Sequence, residues 1–497
     1  MSQAKTIQDG HLTGWLPRLV ANQGPRFLQI ADALQAAVAD GSLTPGDRLP
    51  PQRQLAAQLN VDLTTVTRAY DEARRRNLLE GRGARGTYVA APKVELTSIL
   101  DLSMNTPPPP AGVDFDDLLK QGLSQVLMRA DAELLMTYHL AGGSDSDRKA
   151  GATWLAPMFG HLDARQVIVC PGAQAAIAAS ILALTAPGDI ILAEPASYPG
   201  LLAAATQFGR RVIAVAADQH GMVPEMLEQA CRQHQPALVY LNPTLQNPTS
   251  ITMPEHRRQA LAGIARRCKV RLVEDDPYWL LADTPPPPVA TFAPEQVVYI
   301  STLSKCLTPG LRVAFVLIRN PQERERFLDA LRSFALMTAP LTAALATQWI
   351  LDGSASRLME GVRNEARLRH RMARTILAGR YGGTGDGLHV WLELPAYWNS
   401  AQLARAARSE GIAVTPAEAF ATGTESVNAI RISLGSIKDR GRLQAGLQRL
   451  SHLLAQRSIT PESASSPGTD TTSLPSTQSP PPPATPARTT TSGRCNR

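Results

Sequence analysis

The sequence has few of the features that mark secreted, metal-binding or membrane proteins. Its five cysteines are scattered, and no Cys-x-x-Cys pair occurs among them, which argues against a disulfide framework and a zinc knuckle, so no metal site is expected. The apolar stretch "IAASILALTAPGDIILA" is broken by Pro187, Gly188 and Asp189 and falls short of the roughly 20 apolar residues of a membrane span. The start, "MSQAKTIQDGHLTGW", has no apolar core and does not resemble a secretion signal. These absences predict a soluble cytoplasmic protein.

The chain also has only a small excess of positive charge. Lysine and arginine total 50 residues against 43 for aspartate and glutamate, which gives a formal net charge of +7 at pH 7. That excess is compatible with an acidic partner such as DNA, but it is modest for 497 residues and identifies no partner by itself. With 44% hydrophobic residues, the chain can bury a sizeable core and should hold about two to four units.

Composition divides the chain into four segments. Residues 15–90 are rich in helix-period patterns and arginine, and residues 91–104 form a short linker. Residues 105–456 alternate short apolar runs with longer helical patterns, which predicts parallel strands joined by crossover helices. Residues 457–497 are almost purely Pro, Ser, Thr and Gly, and we expect them to be disordered because they cannot bury enough apolar surface. The apolar runs are "QVIVC", "DIILA", "RVIAVA", "ALVYL", "VRLVEDD", "VVYIS" and "RVAFVLI".

The N-terminal segment predicts two short helices joined by a tight turn. A first helix over 26–39 is stopped by Gly41, and after "TPGDRLPP" a short helix ends near Asn60. The next helix begins at about Leu63, with Asp62 placed as its N-cap. This arrangement suits insertion of the second short helix into the DNA major groove. The residues projecting from its start are Thr64, Thr65, Thr67 and Arg68.

A basic hairpin is predicted directly after these helices. "LLEGRGARGTYV" indicates two short strands around a glycine-rich turn that bears Arg82 and Arg85. Such a hairpin can lie along a phosphate backbone or reach into the minor groove. The pattern alone also fits a three-helix module that docks onto another protein.

The stretch "GDRLPPQRQLAAQLNVDLTTVTRAYDEARRRNLLEGRGARGTYV" resembles the winged helix-turn-helix of GntR-type transcription regulators. The resemblance implies binding to double-stranded DNA. Leu63 departs from the family, which usually has a polar or basic residue at this position. The residues that the resemblance ties to DNA contact or wing geometry are Arg48, Arg53, Thr65, Arg68, Gly83 and Thr87.

One lysine of the central segment lies in a setting that favours covalent chemistry. "STLSKCLTPGLR" places Lys305 after a predicted strand and seven positions before Arg312. A lysine at a strand end among apolar neighbours can stay neutral enough to form an imine with an aldehyde. Pyridoxal phosphate is the common aldehyde. It requires a carboxylate for its ring nitrogen, donors for its phenolate oxygen, an aromatic face, and donors with a cation for its phosphate.

Each of these requirements has a candidate at a predicted strand end. Asp275 suits the ring nitrogen, Tyr278 and Asn247 the phenolate oxygen, and Tyr198 the ring face. Taken singly, each residue has an ordinary alternative, because a strand-end aspartate is often a cap or an ion-pair partner and a tyrosine is often core. Candidates for the phosphate are the amides and Gln174 of "CPGAQAAIAAS", the hydroxyls of Thr302 and Ser304, and the charge of Arg312.

The chain from "DLSMNTPPPP" to "AIRISLG" resembles fold-type I pyridoxal-phosphate enzymes of the aspartate aminotransferase group, and more closely the aminotransferase-like domain of MocR regulators. The resemblance implies an α/β fold, with a mainly parallel sheet in a large domain and a smaller C-terminal α/β part. It implies that Lys305 is the Schiff-base lysine, that Asp275 pairs with the pyridinium nitrogen, and that Tyr278 and Asn247 hold the phenolate oxygen.

The same resemblance implies the remaining roles. Tyr198 stacks on the ring, and Tyr138 reaches the phosphate of the neighbouring subunit. Arg431 binds a substrate α-carboxylate in a two-pronged geometry that lysine cannot reproduce. Two positions depart from the family, since Ser250 replaces a usual glycine and Ala173 replaces a serine or threonine. The phosphate is held by the backbone of Ala173 and by Gln174, Thr302 and Arg312.

Together the two segments resemble the MocR subfamily of GntR regulators over residues 15–456. This implies a homodimer that binds operator DNA and whose second domain senses an amino acid, an amine or the cofactor itself. Two alternatives stay open. In the first alternative, the chain is a catalytically active aminotransferase that carries an accessory DNA-binding domain. In the second, its second domain has lost the cofactor and serves only for dimerisation.

Overall fold

The computed structural model describes residues 15–20, 24–76, 78–81, 86–90, 99–129, 132–377, 385–424 and 426–456. It divides into two compact units, Met1–Leu100 and Asp101–Arg497. Most of the predicted linker and all of the predicted tail, 457–497, lie outside the described residues. No helix within the described ranges is long and apolar enough to cross a membrane.

The N-terminal unit contains the helices and strands that the sequence predicts. The cap of α3 (Leu63–Arg75) is formed as expected, because the Asp62 carboxylate accepts the backbone N–H of Thr64 at 2.7 Å. Asn60 ends α2 (Gln52–Leu59) in the left-handed region, with a φ of 50°. Tyr70 is buried and donates its hydroxyl to the Pro50 carbonyl at 2.8 Å. The elements are α1 (Arg26–Ala39), α2 (Gln52–Leu59), α3 (Leu63–Arg75), and the antiparallel pair β1 (Leu79–Gly81) and β2 (Thr87–Val89).

A seven-stranded sheet forms the centre of the second unit, and the seven apolar runs are its strands. The spatial order is β4-β12-β11-β10-β9-β5-β6. All neighbours are parallel except β12, which runs antiparallel to both β11 and β4. The link from β11 to β12 holds only the short helix α12 (Leu303–Cys306) and a 3-10 turn (Pro309–Leu311), so it is too short for the crossover that a parallel pair requires. The strands are β4 (Val167–Cys170), β5 (Ile190–Ala193), β6 (Arg211–Ala214), β9 (Leu238–Leu241), β10 (Arg271–Asp275), β11 (Val297–Thr302) and β12 (Ala314–Leu317).

Helices cover both faces of this sheet, so the strands are buried on each side. Val167 and Val169 of β4 pack into one apolar cluster, while Ile168 and Cys170 pack into a second, as the two-residue period of a strand requires. The helices of this large domain are α4 (Phe115–Arg129), α5 (Ala132–Leu135), α6 (Asp145–Phe159), α7 (Ala173–Leu184), α8 (Pro199–Gln207), α9 (Pro224–His234), α10 (Glu255–Cys268), α11 (Val289–Phe292), α12 (Leu303–Cys306), α13 (Pro321–Phe334) and α14 (Pro340–Leu351).

The C-terminal part is a smaller α/β layer. One face of its sheet packs on helices through Val390 and Ile432, which leaves Trp391 and Arg431 on the opposite face. Leu102 is fully buried in the same apolar core, so part of the predicted linker belongs to this layer. The remaining elements are α15 (Ser354–Ile376), α16 (Ser400–Ser409), α17 (Arg440–Ala455), and the strands β3 (Leu100–Asp101), β7 (Ala217–Asp218), β8 (Gly221–Met222), β13 (His389–Glu393), β14 (Ile412–Ala413), β15 (Thr415–Pro416) and β16 (Ala429–Ser433).

Candidate functional site

The residues proposed from the sequence for cofactor binding follow the sheet strands at one edge. Asp275 ends β10, and Lys305 lies in α12 directly after β11. Ala173 opens α7 after β4, while Tyr198 and Asn247 lie in the loops after β5 and β9. These five strands run in the same direction. Their carboxyl ends therefore meet at the edge where open α/β sheets bind ligands.

Lys305 is partly buried, and its amine already has a partner. Its Nζ donates to the backbone carbonyl of Asn105 at 2.5 Å. Burial lowers the pKa of Lys305 to about 8, and the positive charges of Arg431 and Arg312 act in the same direction, while Asp275 opposes them. Near pH 8 a substantial fraction of the amine is therefore neutral, which an amine needs in order to attack a carbonyl carbon.

Asp275 is a buried carboxyl group with one oxygen left over. Its Oδ2 accepts the hydroxyl of Tyr240 at 2.7 Å. Its Oδ1 is buried and accepts no hydrogen bond from any described residue. Burial raises the pKa of Asp275 to about 6, although the Tyr240 hydrogen bond and the charge of Lys305 lower it. An acceptor of this kind fits a protonated ring nitrogen, because burying a carboxylate oxygen without a donor is costly.

Arg431 lies at the same edge on β16 of the smaller layer. Its Nη1 donates to Asn247 Oδ1 at 2.7 Å, and its Nη2 donates to the backbone carbonyl of Ser103 at 2.5 Å. The guanidinium carbon is 4.9 Å from the centre of the Phe420 ring, and burial lowers the pKa of Arg431. Its Nε is buried without a partner in the described part of the chain. Both acceptors of Arg431 are neutral, so a ligand carboxylate would supply a negatively charged partner for its guanidinium.

Tyr278 is almost fully buried beside these groups. Its hydroxyl accepts the side-chain amide of Asn105 at 2.9 Å. The same amide nitrogen lies 3.0 Å from Nδ1 of His389. Burial raises the pKa of Tyr198, and the negative charge of Asp275 raises it further, so Tyr198 belongs to the same electrostatic group. The structure therefore brings together the lysine, the aspartate, both tyrosines, Asn247 and Arg431.

The start of α7 fits an anion. Gly172 has a φ of 89°, and a Cβ placed on it would lie 2.7 Å from Nη2 of Arg312, so only glycine lets this arginine lie against the turn. The first amides of α7 are unpaired helix donors, which favour a phosphate. Gln174 donates to the Gly200 carbonyl at 2.8 Å, and its Oε1 is buried without a partner among the described residues.

The contacts of Thr302 and Tyr138 do not by themselves indicate a cofactor. The Thr302 hydroxyl accepts the Ser304 backbone N–H at 3.2 Å and lies 3.3 Å from the Val313 carbonyl, so it serves as a helix cap. Tyr138 is 69% exposed and follows Met136, which is 88% exposed. Their roles at the phosphate stay predictions, and the exposure of Tyr138 leaves it available to a second subunit.

Ser103, Asn105 and Tyr240 also contact the site, although no sequence pattern identifies them. Ser103 and Asn105 precede the sheet by many residues, and they reach the site only because Leu102 pairs with the smaller layer. Tyr240 lies one strand from Asp275, since β9 and β10 are neighbours. The continuous apolar run "ALVYL" gives no sign that its tyrosine donates to a carboxylate. Only the register of the strands supplies that information.

The N-terminal unit holds the second candidate site, at the start of α3. Thr64 donates its hydroxyl to Asp62 at 2.5 Å, and the Thr67 hydroxyl lies 2.9 Å from Gln52 Oε1. The Arg68 guanidinium lies 4.2 Å from the centre of the Phe27 ring. Thr65 is half-buried. Three of the four residues therefore also have structural partners in this unit, and their contacts with bases stay predictions.

The other arginines proposed for DNA contact lie outside α3 in the sequence. Arg53 is exposed near the beginning of α2, and Arg48 lies against Gly86, whose added Cβ would be 3.2 Å from Arg48 Nε. Arg82 and Arg85 lie outside the described residues. At the other end of α3 the arginines are neutralised. Ion pairs join Arg74 to Asp71, Arg75 to Glu72, and Arg76 to Asp32 and Glu72.

The lowered pKa of Lys305 predicts how its reaction with an aldehyde depends on pH. With pyridoxal phosphate as the probe, the attachment rate of the cofactor-free protein should rise about tenfold per pH unit and level off near pH 8. An ordinary lysine would level off near pH 10.4. Asp275→Asn removes a charge that raises the Lys305 pKa, so its profile should level off at lower pH. Absorbance of the bound probe measures the rate, and a wild-type rate that still climbs through about pH 10 contradicts the assignment.

Comparison with known proteins places both units in described families. Residues 97–450 match aminotransferase class I and II, and residues 27–89 match the gntR family of bacterial regulatory proteins. The chain is 30% identical over 451 residues to YdeF of Bacillus subtilis, an uncharacterized HTH-type transcriptional regulator, covering 88% of this chain and 96% of YdeF. It is 28% identical to PtsJ of Salmonella typhimurium, a vitamin B6 salvage pathway transcriptional repressor, covering 83% and 94% of the two chains.

A solved structure extends the comparison to the cofactor. LysN, the α-aminoadipate aminotransferase of Thermus thermophilus complexed with N-(5'-phosphopyridoxyl)-L-leucine, matches with a TM-score of 0.66 and 26% identity, covering 72% of this chain and 92% of LysN. The class I and II fold and these relatives identify pyridoxal phosphate as the cofactor of the second domain. With its GntR-type helix-turn-helix followed by an aminotransferase-like domain, the chain belongs to the MocR subfamily of GntR-type transcription regulators.

Proposed function

We propose that this protein is a pyridoxal-phosphate-dependent transcription regulator whose second domain senses an amino acid, an amine or the cofactor itself. The observation that carries the proposal is the unpartnered buried oxygen of Asp275 beside Lys305, in a chain that also carries a helix-turn-helix. A domain that served only to dimerise would have no use for a buried carboxylate with an unfilled acceptor and a lysine of lowered pKa.

The residues of the second domain have separate tasks in this proposal. When bound, pyridoxal phosphate supplies an electrophilic carbon that traps primary amines. Lys305 presents a neutral amine at Nζ, and Asp275 holds a proton on the ring nitrogen. Tyr278 and Asn247 donate to the phenolate oxygen, and Tyr198 covers the ring. Arg312, Gln174, Thr302 and the first amide of α7 at Ala173 hold the phosphate.

Arg431 gives the site its preference for α-amino acids. Its guanidinium holds two neutral acceptors, the side-chain oxygen of Asn247 and the carbonyl of Ser103. A carboxylate forms charge-assisted hydrogen bonds that are roughly twice as strong as those to neutral acceptors. We therefore infer that the favoured ligand carries both an amine and a carboxylate.

DNA binding is assigned to the N-terminal unit. In our proposal Arg48 and Arg53, with Arg82 and Arg85 of the wing, contact phosphates or the minor groove. The residues at the start of α3 face base edges. These are Thr64, Thr65, Thr67 and Arg68.

We further propose that the working form is a cytoplasmic homodimer. The stretch around Tyr138 exposes a group of large apolar side chains, which a monomer seldom leaves uncovered. A second copy would cover it and bring Tyr138 to the neighbouring phosphate, and paired subunits suit paired half-sites in an operator. The exposed residues include Leu127 at 66%, Met128 at 75%, Met136 at 88% and Leu140 at 42%.

The second candidate function is a working aminotransferase with an accessory DNA-binding domain. Arg431 favours it, because a carboxylate-binding arginine beside Lys305 is what transamination of an α-amino acid requires. LysN is an aminotransferase, which is compatible with this candidate, whereas PtsJ is a vitamin B6 salvage pathway transcriptional repressor, which favours regulation by the cofactor.

The DNA assignment predicts a difference between two exposed arginines. Arg53→Ala should weaken binding to operator DNA and lower the slope of log affinity against log salt by about 1, as loss of one phosphate contact does. Arg75→Ala is the matched control, because Arg75 is paired with Glu72 at 2.8 Å and should leave the slope unchanged. Fluorescence anisotropy over a salt series measures both. Equal slopes for Arg53→Ala and wild type would remove Arg53 from the interface.

The regulatory assignment predicts that the response to ligand depends on Lys305. Operator affinity of the wild type should change on addition of pyridoxal phosphate and of some members of a panel of amines and amino acids. Lys305→Ala should bind DNA without that change, since it cannot hold the cofactor covalently. Lys149→Ala, which removes an exposed lysine paired with Asp145, should respond like wild type.

The same experiment separates the two candidate functions. If wild type and Lys305→Ala bind the operator identically under every condition, and wild type converts an amino donor and a keto acid at ordinary enzymatic rates, the chain is an aminotransferase. Regulation predicts the opposite pairing, in which DNA affinity responds to ligand and turnover is slow or absent.

A further inference from the structure

The segment that follows the N-terminal unit in sequence occupies the ligand side of the cofactor site. We call residues 102–106 the strap. The Ser103 carbonyl accepts Nη2 of Arg431, and the Asn105 carbonyl accepts Nζ of Lys305, each at 2.5 Å. The strap therefore supplies a neutral acceptor to both cations that the proposed function assigns to the ligand and the cofactor.

The other contacts of the strap hold it to the smaller layer. The Leu102 N–H donates to the Ala413 carbonyl, and the Leu102 carbonyl accepts the Ser433 N–H, each at 2.8 Å. The Ser433 hydroxyl donates to the Met104 carbonyl at 2.7 Å. The Thr106 carbonyl lies so close to Gly435 that an added Cβ there would be 1.7 Å away. The backbone of the strap is thus pressed against the end of β16, where Arg431 also lies.

The Asn105 side chain ties the strap to Tyr278 of the large domain and to His389 of the smaller layer. It is 4% exposed, and its amide donates to the Tyr278 hydroxyl at 2.9 Å and lies 3.0 Å from Nδ1 of His389. Its Oδ1 is buried and has no hydrogen-bond partner within the described ranges. An asparagine held by only part of its hydrogen-bonding capacity is a weaker anchor than a fully satisfied one.

We propose that the strap occupies the place of an amino-acid carboxylate at Arg431 in the ligand-free protein and must move when such a ligand binds, and that Asn105 is the positioning residue that sets how tightly the strap is held. The proposal rests on the function proposed above and names how its site is regulated. A carboxylate displaces the Ser103 carbonyl because its hydrogen bonds to a guanidinium are charge-assisted. Covalent use of Lys305 removes the donor that holds the Asn105 carbonyl.

Ligand binding therefore removes two of the bonds that fix the strap. The strap continues directly from Leu100 and Asp101, where the N-terminal unit ends and the second begins. A change in its hydrogen bonding alters the same stretch of chain that joins the two units. The strap is thus connected along the chain to the N-terminal unit, and the ligand's preference for the released strap is the differential affinity that coupling requires.

The experiment uses the full-length cofactor-free protein and 3-phenylpropionate, a carboxylate without an amine. Hydrogen exchange of the backbone amides at Leu102 and Thr106 is measured by mass spectrometry with and without this probe. The probe should speed exchange about tenfold or more, the factor that corresponds to losing one hydrogen bond to a charged group. Arg431→Gln should abolish both the binding of the probe and its effect on exchange.

Two variants loosen the strap from different sides. Asn105→Ala removes the ties to Tyr278 and His389, and Ser433→Ala removes the hydroxyl that holds Met104. Each should speed strap exchange without the probe and tighten probe binding severalfold, because less of the protein starts in the competing state. Ser409→Ala, an exposed serine that bonds only within its own helix, should change neither quantity.

The direction of the affinity change separates a positioning role from structural damage, because damage would weaken probe binding. If either variant binds the probe no more tightly than wild type, while Arg431→Gln still loses it, the strap does not compete with ligand and the inference is wrong, but the carboxylate role of Arg431 stands. If wild type does not bind the probe at all, that role fails and the strap proposal fails with it. Should Asn105→Ala not fold, Ser433→Ala alone decides the question.

Discussion

The structure of the second unit depends on holding a carboxyl group and an amine of opposite charge in a buried edge of the sheet. Burial raises the pKa of Asp275 to about 6 and lowers the pKa of Lys305 to about 8, so both charged forms are costly and each is stabilised by the other. Buried ionisable groups with pKa values shifted this far are typical of functional sites, where the chemistry requires the shift. The parallel sheet supplies the geometry, because β10 and β11 deliver both groups at the same edge.

Behind this edge the chain buries further charge for structural reasons. Glu274 and Asp276 flank Asp275 in β10 and the loop after it, and strand alternation turns them away from the site. Glu274 accepts the backbone N–H groups of Val289 and Ala290, each at 2.8 Å. Arg258 is fully buried nearby, and its positive charge lowers the pKa values of both acids, although burial raises them more. Of these three consecutive acids, one therefore has a chemical role and two have a structural role.

Much of the fold could be predicted from the sequence, because the information there is local. The seven apolar runs form the seven strands of the sheet. Asp62 caps α3, which could be predicted because an N-cap hydrogen bond involves only residues of the first helical turn. Lys305, Asp275 and Arg431 could be found because their motifs are short. The antiparallel direction of β12 was not predicted, since it depends on how the chain returns from α12. The contacts of Ser103 and Asn105 depend on pairing across about 330 residues and about 200 residues, respectively, and no local pattern contains them.

In a regulator with two sites, ligand binding at one site must change the affinity of the other site, and this coupling free energy is the same in both directions. The most direct measurement is the affinity of the protein for pyridoxal phosphate, and for the most effective amino acid of the panel, in the presence and absence of saturating operator DNA. If the two sites are coupled, DNA should change at least one of these affinities by the same factor by which that ligand changes DNA affinity, commonly about 5-fold to 150-fold. Affinities that are identical with and without DNA would contradict this coupling.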